Sequence, residues 1–246
     1  MGLPSKESLA QLARRWPVSE GIFAARRAFA RLSGRSRGVI IEHGVRLDGR
    51  TEIEGRCRLL RNASVQGAQI GFGSYVGTDS ILDGARIGRF CSIGPYVRIV
   101  TGRHPTKKLV STHPAFYSTR RQAGFGYAET QLVDELAYAD EATRATVIVG
   151  NDVWIGHGAS LIAGIRIGDG AVIGASSLVT KDVAPFTINL GVPSKTVSHR
   201  FDADEIALLL ESRWWDRSEE WLRENAHLFG DIAAYAAALS PRGDGR

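Results

Sequence analysis

The feature that most constrains this chain is a bulky aliphatic residue at every sixth position over a long stretch. One run keeps this spacing without a break, at Val149, Ile155, Leu161, Ile167, Ile173 and Val179. A period of six fits neither the repeat of about 3.6 residues in an α-helix nor the simple alternation of a half-buried strand. It suits short, flat strands joined by tight turns, and three such strands would close one triangular coil.

The same spacing occurs upstream, with two intervals shortened to five residues. The upstream series is Ile41, Leu47, Ile53, Leu59, Val65, Ile70, Val76, Ile81, Ile87, Ile93 and Ile99. A small or β-branched residue follows most of these positions four residues later, and Cys57 and Cys91 are two examples. We expect the aliphatic residues to fill a prism of stacked coils, with both cysteines as buried thiols near its corners. A conventional β-sandwich is the alternative, and the length of the repeat disfavours it.

The repeat divides the chain into three parts. We expect a helical N-terminal extension over residues 1–37, a coil domain over 38–200 and a helical C-terminal region over 201–246. The extension is basic, and a basic helix there would suit a peripheral membrane surface or a glycosyltransferase partner, although packing on the coil is the commoner role. The chain shows neither an apolar stretch long enough to span a bilayer nor the apolar core of a secretory signal, so a cytoplasmic location is expected.

Between Ile99 and Val149 the six-residue spacing stops, and a segment of about fifty residues takes its place. A long loop inside a compact solenoid is usually functional or disordered. Its aromatic residues, which include Phe116 and Tyr117, argue against disorder. We therefore expect an excursion at about residues 100–147 that leaves the coil, builds one wall of a site and returns.

Several segments together resemble a known family, namely "IGRFCSIGPYVRI", "GRHPTKKLVSTHPAFYS", "VGNDVWIGHGASL", "IGDGAVIGASSLVTKDV", "GVPSKTV" and "RWWD". The chain looks like a hexapeptide-repeat acyltransferase, most similar to the xenobiotic and capsular-polysaccharide O-acetyltransferases. The resemblance implies an all-β solenoid, a left-handed parallel β-helix, with the excursion loop and helices at both ends. It also implies a homotrimer with active sites between subunits, and acetyl-CoA as co-substrate with no metal required.

His104, in "GRHPT", matches the position of the family's catalytic histidine. An imidazole exchanges protons near neutral pH, so it can take the proton of a hydroxyl group and later return it to the CoA thiolate. The competing base is His113 on the same loop, which we otherwise interpret as an acceptor contact. Direct transfer by such a base requires no covalent enzyme intermediate.

The resemblance also implies residues that bind the two substrates. The residues expected along the acetyl-CoA groove are Trp154, Gly156, His157, Ala175, Ser176, Lys181, Lys195 and Arg200. The small residues would admit the pantetheine arm, and the three cations would meet phosphates. The residues expected to contact the acceptor are Tyr96, Arg98, Arg103, His113 and Tyr117.

The acceptor that the family resemblance implies is a hydroxyl of a sugar or polysaccharide, as in capsule, lipopolysaccharide or exopolysaccharide. An antibiotic hydroxyl is the alternative within the same chemistry. The γ-type carbonic anhydrases are a different class of enzyme with the same kind of solenoid, and their zinc site needs three histidines close in register. In this chain the six-residue repeats contain only His43 and His157, which are far apart, and the other histidines lie in loops or tails. A non-enzymatic scaffold would need neither His104 nor a lysine-rich exit from the coil. Nucleic acid is not expected as a partner, because the basic residues do not alternate with aromatic ones in a recognisable platform.

Overall fold

The computed structural model describes residues 37–239, and in this part of the chain the six-residue repeat forms a parallel β-helix. The strands are β1 Ile40–Ile41, β2 Glu52–Ile53, β3 Arg58–Leu59, β4 Gln69–Ile70, β5 Tyr75–Val76, β6 Arg86–Ile87, β7 Ser92–Ile93, β8 Arg98–Val100, β9 Val147–Val149, β10 Trp154–Ile155, β11 Ser160–Ile162, β12 Ile165–Ile167, β13 Val172–Ile173, β14 Leu178–Val179, β15 Thr187–Leu190 and β16 Lys195–His199. Most strands are only two or three residues long, because the turns occupy the rest of each six-residue repeat.

The strands lie on three faces. The first face has the order β1-β3-β5-β7-β10-β13-β15-β16, the second β14-β11-β8 and the third β12-β9-β6-β4-β2. Neighbouring strands pair in parallel, except that β16 pairs antiparallel with β15. The aliphatic residues point inward, and Leu59, Ile93 and Ile155 are completely buried. The prediction of a left-handed parallel β-helix agrees with this architecture.

One predicted core position is wrong. The spacing placed Ile81 in the prism, but Leu82 is buried with 2% exposure, while Ile81 pairs with Ser64 and Arg98 on the second face and stays half-buried. The second short interval therefore lies between Leu82 and Ile87.

Both short intervals fall in the turn that leads to the third face. Each of these turns contains a glycine with positive φ, Gly67 at 64° and Gly84 at 71°. The two turns stack directly, because the N–H of Gly84 donates to the carbonyl of Gln66 at 2.8 Å. Glycine adopts this left-handed backbone conformation without strain.

Both cysteines are free and completely buried in the prism, as predicted. Burial raises the pKa of the Cys91 thiol to about 12. Its side chain instead donates to the carbonyl of Gly150 at 3.0 Å. Cys91 is thus a neutral packing residue at neutral pH rather than a nucleophile.

The excursion loop leaves the coil after β8 and returns at β9. It contains one short 3-10 turn, Pro114–Phe116. A bridge between Gly102 and Leu136 closes the loop near its base. The loop is therefore a folded element attached to the coil.

Helices follow the coil within the described residues: α1 Ala203–Ser212, α2 Glu219–Glu224 and α3 Ile232–Leu239, with 3-10 turns at Trp214–Asp216 and Ala226–Gly230. The side chain of Asp202 accepts from the N–H of Glu205 in a capping box at the start of α1. Trp215 is buried with 2% exposure, and the ring of Trp214 lies 5.0 Å from that of Phe90 in the coil. These tryptophans hold the helices against one corner of the prism.

The predicted N-terminal helix, with its membrane or glycosyltransferase contact, lies outside the described residues. Within residues 37–239, no helix combines the length and the apolar character needed to cross a membrane.

Candidate active site

His104 is exposed on the excursion loop, and its Nδ1 atom has two oxygen neighbours. The carbonyl oxygen of Thr112 lies at 2.9 Å and the hydroxyl oxygen of Tyr117 at 2.8 Å. A carbonyl oxygen can only accept, so the contact with Thr112 places a hydrogen on Nδ1. The other ring nitrogen, Nε2, then keeps its lone pair, which is the form required of a general base.

His113 has the opposite arrangement. Its Nδ1 atom accepts a hydrogen bond from the N–H of Ala115 at 3.1 Å and so caps the 3-10 turn Pro114–Phe116. In the neutral ring the hydrogen must then lie on Nε2. His104 is therefore the histidine of this loop with a lone pair available for proton transfer.

Tyr117 was expected to contact the acceptor, but the structure gives it another neighbour. Its side chain is completely buried, and its hydroxyl faces His104. Burial, followed by the negative charge of Glu135, raises the pKa of Tyr117, so the phenol is neutral at physiological pH. In this subunit the hydroxyl of Tyr117 contacts His104, and its contact with an acceptor stays a prediction.

The exposed side of the loop carries a cluster of four rings, which we call the aromatic cluster: His113, Phe116, Phe125 and Tyr127. Ring centroids of neighbours lie 5.4 to 6.3 Å apart. Tyr127 is 70% exposed, and about half of each phenylalanine is exposed. No site role was predicted for the two phenylalanines, although five aromatic residues in one loop are a visible signal in the sequence.

A second group of predicted site residues meets at the corner between the first and second faces. The ring of Tyr96 stands edge-on to that of His157, with centroids 5.3 Å apart. Trp154 is 56% exposed on the outer side of β10. The backbone N–H groups of His157 and Ala175 have no acceptor within residues 37–239. This corner therefore offers free donors to an amide or thioester carbonyl.

Small residues at this corner are required by the stacking of coils. A Cβ atom on Gly156 would lie 2.6 Å from the backbone nitrogen of Ala175 in the next coil. Ser176, beside it, donates its N–H to the carbonyl of His157 at 2.8 Å. Glycine at position 156 is therefore required by the close approach of neighbouring coils.

Replacement of Gly156 by alanine should lower the free energy of unfolding by about 1–3 kcal/mol, because the added methyl group meets backbone atoms that cannot move aside cheaply. Urea unfolding of the purified protein would measure the change. Gly49→Ala is the matched control, since a Cβ there meets nothing within 4 Å. Equal stability of both variants would contradict the tight stacking at Gly156.

The predicted cations differ in their surroundings. Lys181 and Lys195 are exposed near the end of the coil and form no ion pair among the described residues. Arg200 is held by Asp152 at 2.9 Å, and its guanidinium carbon lies 5.4 Å and 5.2 Å from the ring centroids of Phe186 and Phe201. A phosphate contact is thus better suited to the two lysines, while Arg200 joins the coil to the C-terminal segment.

Two predicted acceptor residues remain. Arg98 points outward from β8 and is exposed. Arg103 is also exposed, and its backbone N–H donates to the carbonyl of Glu135 at 2.8 Å. No three metal-binding side chains cluster within residues 37–239.

A parallel β-helix built from six-residue repeats is the fold of the hexapeptide-repeat class of transferases. Residues 146–181 match the family described as "Bacterial transferase hexapeptide (six repeats)". A chloramphenicol acetyltransferase of Agrobacterium fabrum is 38% identical over 168 residues, which cover 65% of this chain and 74% of that protein. A probable macrolide acetyltransferase of Lysinibacillus sphaericus is 33% identical over 144 residues, covering 58% and 74%. A chloramphenicol acetyltransferase of Escherichia coli is 39% identical over 140 residues, covering 56% and 62%.

The chain belongs to the family of bacterial hexapeptide-repeat transferases and is an acyltransferase. The predicted family and enzyme class are therefore confirmed.

Proposed function

We propose that this protein transfers an acetyl group from acetyl-CoA to a hydroxyl group, with His104 as general base. The observation that supports it most directly is the contact of His104 Nδ1 with the carbonyl of Thr112, which leaves Nε2 free to accept a proton. Family membership supplies the acyl-transfer chemistry. Acetyl-CoA is a substrate of this reaction and leaves as CoA.

In this mechanism, Nε2 of His104 takes the proton of the acceptor hydroxyl as its oxygen attacks the thioester carbonyl. The N–H of His157, which lacks an acceptor among residues 37–239, donates to the oxyanion that forms. The C–S bond then breaks, and the imidazolium returns its proton to the CoA thiolate. Atoms and charges balance without a covalent enzyme intermediate.

The loop site and the coil corner belong to different parts of one subunit. No hydrogen bond or ring contact within residues 37–239 joins His104 to His157 or Tyr96. We therefore propose a homotrimer in which the loop of one subunit brings His104 to the corner of its neighbour. A cytoplasmic location is part of the same proposal.

We propose a carbohydrate as the acceptor. The aromatic cluster supports this choice, because the apolar faces of sugar rings pack on exposed aromatic side chains. Arg120 and Arg121 on the same loop are also exposed and would suit an anionic sugar. The second candidate is an antibiotic hydroxyl, which is favoured by the relatives named as chloramphenicol and macrolide acetyltransferases.

The test is an acceptor screen with purified protein and acetyl-CoA, in which release of the free CoA thiol is measured. The panel should contain neutral and acidic mono- and oligosaccharides beside chloramphenicol and a macrolide. Turnover with saccharides alone supports the first proposal, and turnover with an antibiotic alone replaces it by the second. Absence of acceptor-dependent thiol release throughout the panel would count against both acceptor classes.

Lys181→Ala should weaken binding of CoA about tenfold or more, since hydrogen bonds to charged groups contribute about 1.5–3 kcal/mol. Titration calorimetry with CoA would measure it. The control is Lys107→Ala, which removes an equally exposed lysine from the excursion loop. If both variants bind CoA like the unchanged protein, Lys181 does not contact its phosphates.

A further inference from the structure

We propose that Glu135 is a positioning residue for His104 and acts through Tyr117. This inference rests on the proposed function, because it assigns a structural support to the base of that reaction. Glu135 is 8% exposed and lies in the returning half of the excursion loop. None of the sequence motifs pointed to it.

Glu135 makes hydrogen bonds to both of the segments that carry His104 and Tyr117. Its backbone carbonyl accepts the N–H of Arg103 at 2.8 Å, and Arg103 directly precedes His104. Its carboxylate accepts the hydroxyl of Ser118 at 2.8 Å, and Ser118 directly follows Tyr117. One residue thus fixes the distance between the backbone of the base and the backbone of its partner.

The carboxylate has a full set of donors. Gln122 donates to one of its oxygens, and Gln131 donates to the other at 3.2 Å. Arg120 lies within 3.8 Å of that second oxygen. Burial opposes ionisation, but the hydrogen bonds from Ser118, Gln122 and Gln131 outweigh it and hold the pKa of Glu135 below its ordinary value. The group is therefore an ionised acceptor at neutral pH, and it binds side chains from two stretches of the loop, residues 118–122 and Gln131.

The contact between Tyr117 and His104 is the second part of the argument. The hydroxyl oxygen of Tyr117 and the carbonyl oxygen of Thr112 both accept the Nδ1 hydrogen of His104. If Tyr117 donated to Nδ1 instead, the carbonyl of Thr112 would face a nitrogen lone pair at 2.9 Å, an unfavourable contact. The ring of Tyr117 also stands perpendicular to the imidazole, at 89°, with centroids 6.3 Å apart. If Tyr117 shifted, the imidazole could turn away from the carbonyl of Thr112, and both the orientation and the tautomer of the base would then be released.

The experiment compares Glu135→Gln, Tyr117→Phe and the double variant in the full chain, with Glu129→Gln as control. Glu129 is an exposed carboxylate on the same loop. Each single variant should lower kcat by ~10- to 100-fold, the scale of a misplaced catalytic group, with the KM for acetyl-CoA unchanged. The double variant should be no slower than the slower single one, because both changes act on one unit.

A second readout does not depend on turnover. With 15N-labelled histidine, the NMR shifts of His104 should show a hydrogen on Nδ1 in the unchanged protein and a mixture of tautomers in Glu135→Gln. Ser118→Ala, which removes a single donor, replaces Glu135→Gln if that variant does not fold.

Two results would overturn the inference: a Glu135→Gln variant that matches Glu129→Gln in both readouts, or losses in kcat that add in the double variant. If the unchanged protein transfers no acetyl group, the proposed function fails, and the tautomer measurement alone decides whether Glu135 supports His104.

Discussion

Replacing His104 with alanine should lower kcat for acetyl transfer by ~100-fold or more, the scale expected for loss of a general base. The hydroxyl acceptor is then left without a group to take its proton as it attacks the thioester. Affinity for acetyl-CoA should change little, because the residues proposed to bind it lie on the coil. Steady-state thiol release and calorimetry with CoA would measure the two quantities separately.

Two further histidine variants make this result specific. His43→Ala removes an exposed histidine from a coil corner and should leave kcat close to that of the unchanged protein. His113→Ala removes a ring that caps a 3-10 turn and stacks on Phe125 at 5.9 Å, so it should act mainly on binding of the acceptor. Undiminished turnover in His104→Ala, together with a large loss in His113→Ala, would move the base to His113.

The candidate base could be chosen from the sequence, but the contacts around it could not be predicted. "GRHPT" identified His104 through its resemblance to a family motif. The partners of its ring, Thr112 and Tyr117, lie in an aperiodic loop, where spacing along the chain carries no information about contact. The same holds for Glu135, whose carbonyl reaches Arg103 only because the loop closes on itself. A buried carboxylate in a polar segment has no sequence signature.

Arg200 illustrates the same limit in the coil. A cation near the end of the repeat is a reasonable candidate for a phosphate contact when its neighbours are unknown. Its carboxylate partner, Asp152, comes 48 residues earlier in the chain, and stacking of coils brings the two together. An ion pair of this kind depends on which residues of neighbouring coils lie beside each other. The six-residue period predicts this register only approximately.

The predicted register of the coils failed at Ile81 and Leu82, where two bulky residues stand side by side next to a short turn. At Ile81 and Leu82 either residue can satisfy a spacing of five or six. The turn decides between them, because the residue missing from that coil lies between Leu82 and Ala85, beside Gly84 with its positive φ. The earlier short turn, around Gly67, stacks on it and removes its residue at the same corner. The hydrophobic spacing alone does not show on which side of a core residue the shortened interval lies.

Leu82→Ala should lower the free energy of unfolding by about 2–5 kcal/mol, the range for removing a large aliphatic side chain from a packed core. Leu82 is 2% exposed inside the prism, and its N–H donates to the carbonyl of Ser64 in the coil below. Ile81→Ala is the matched control, because Ile81 lies one residue away on the outer side and is only half-buried, so its loss should be less than half as large. Urea unfolding followed by circular dichroism would measure both variants. A larger loss in Ile81→Ala than in Leu82→Ala would return Ile81 to the core and move the short turn to the other side of this residue.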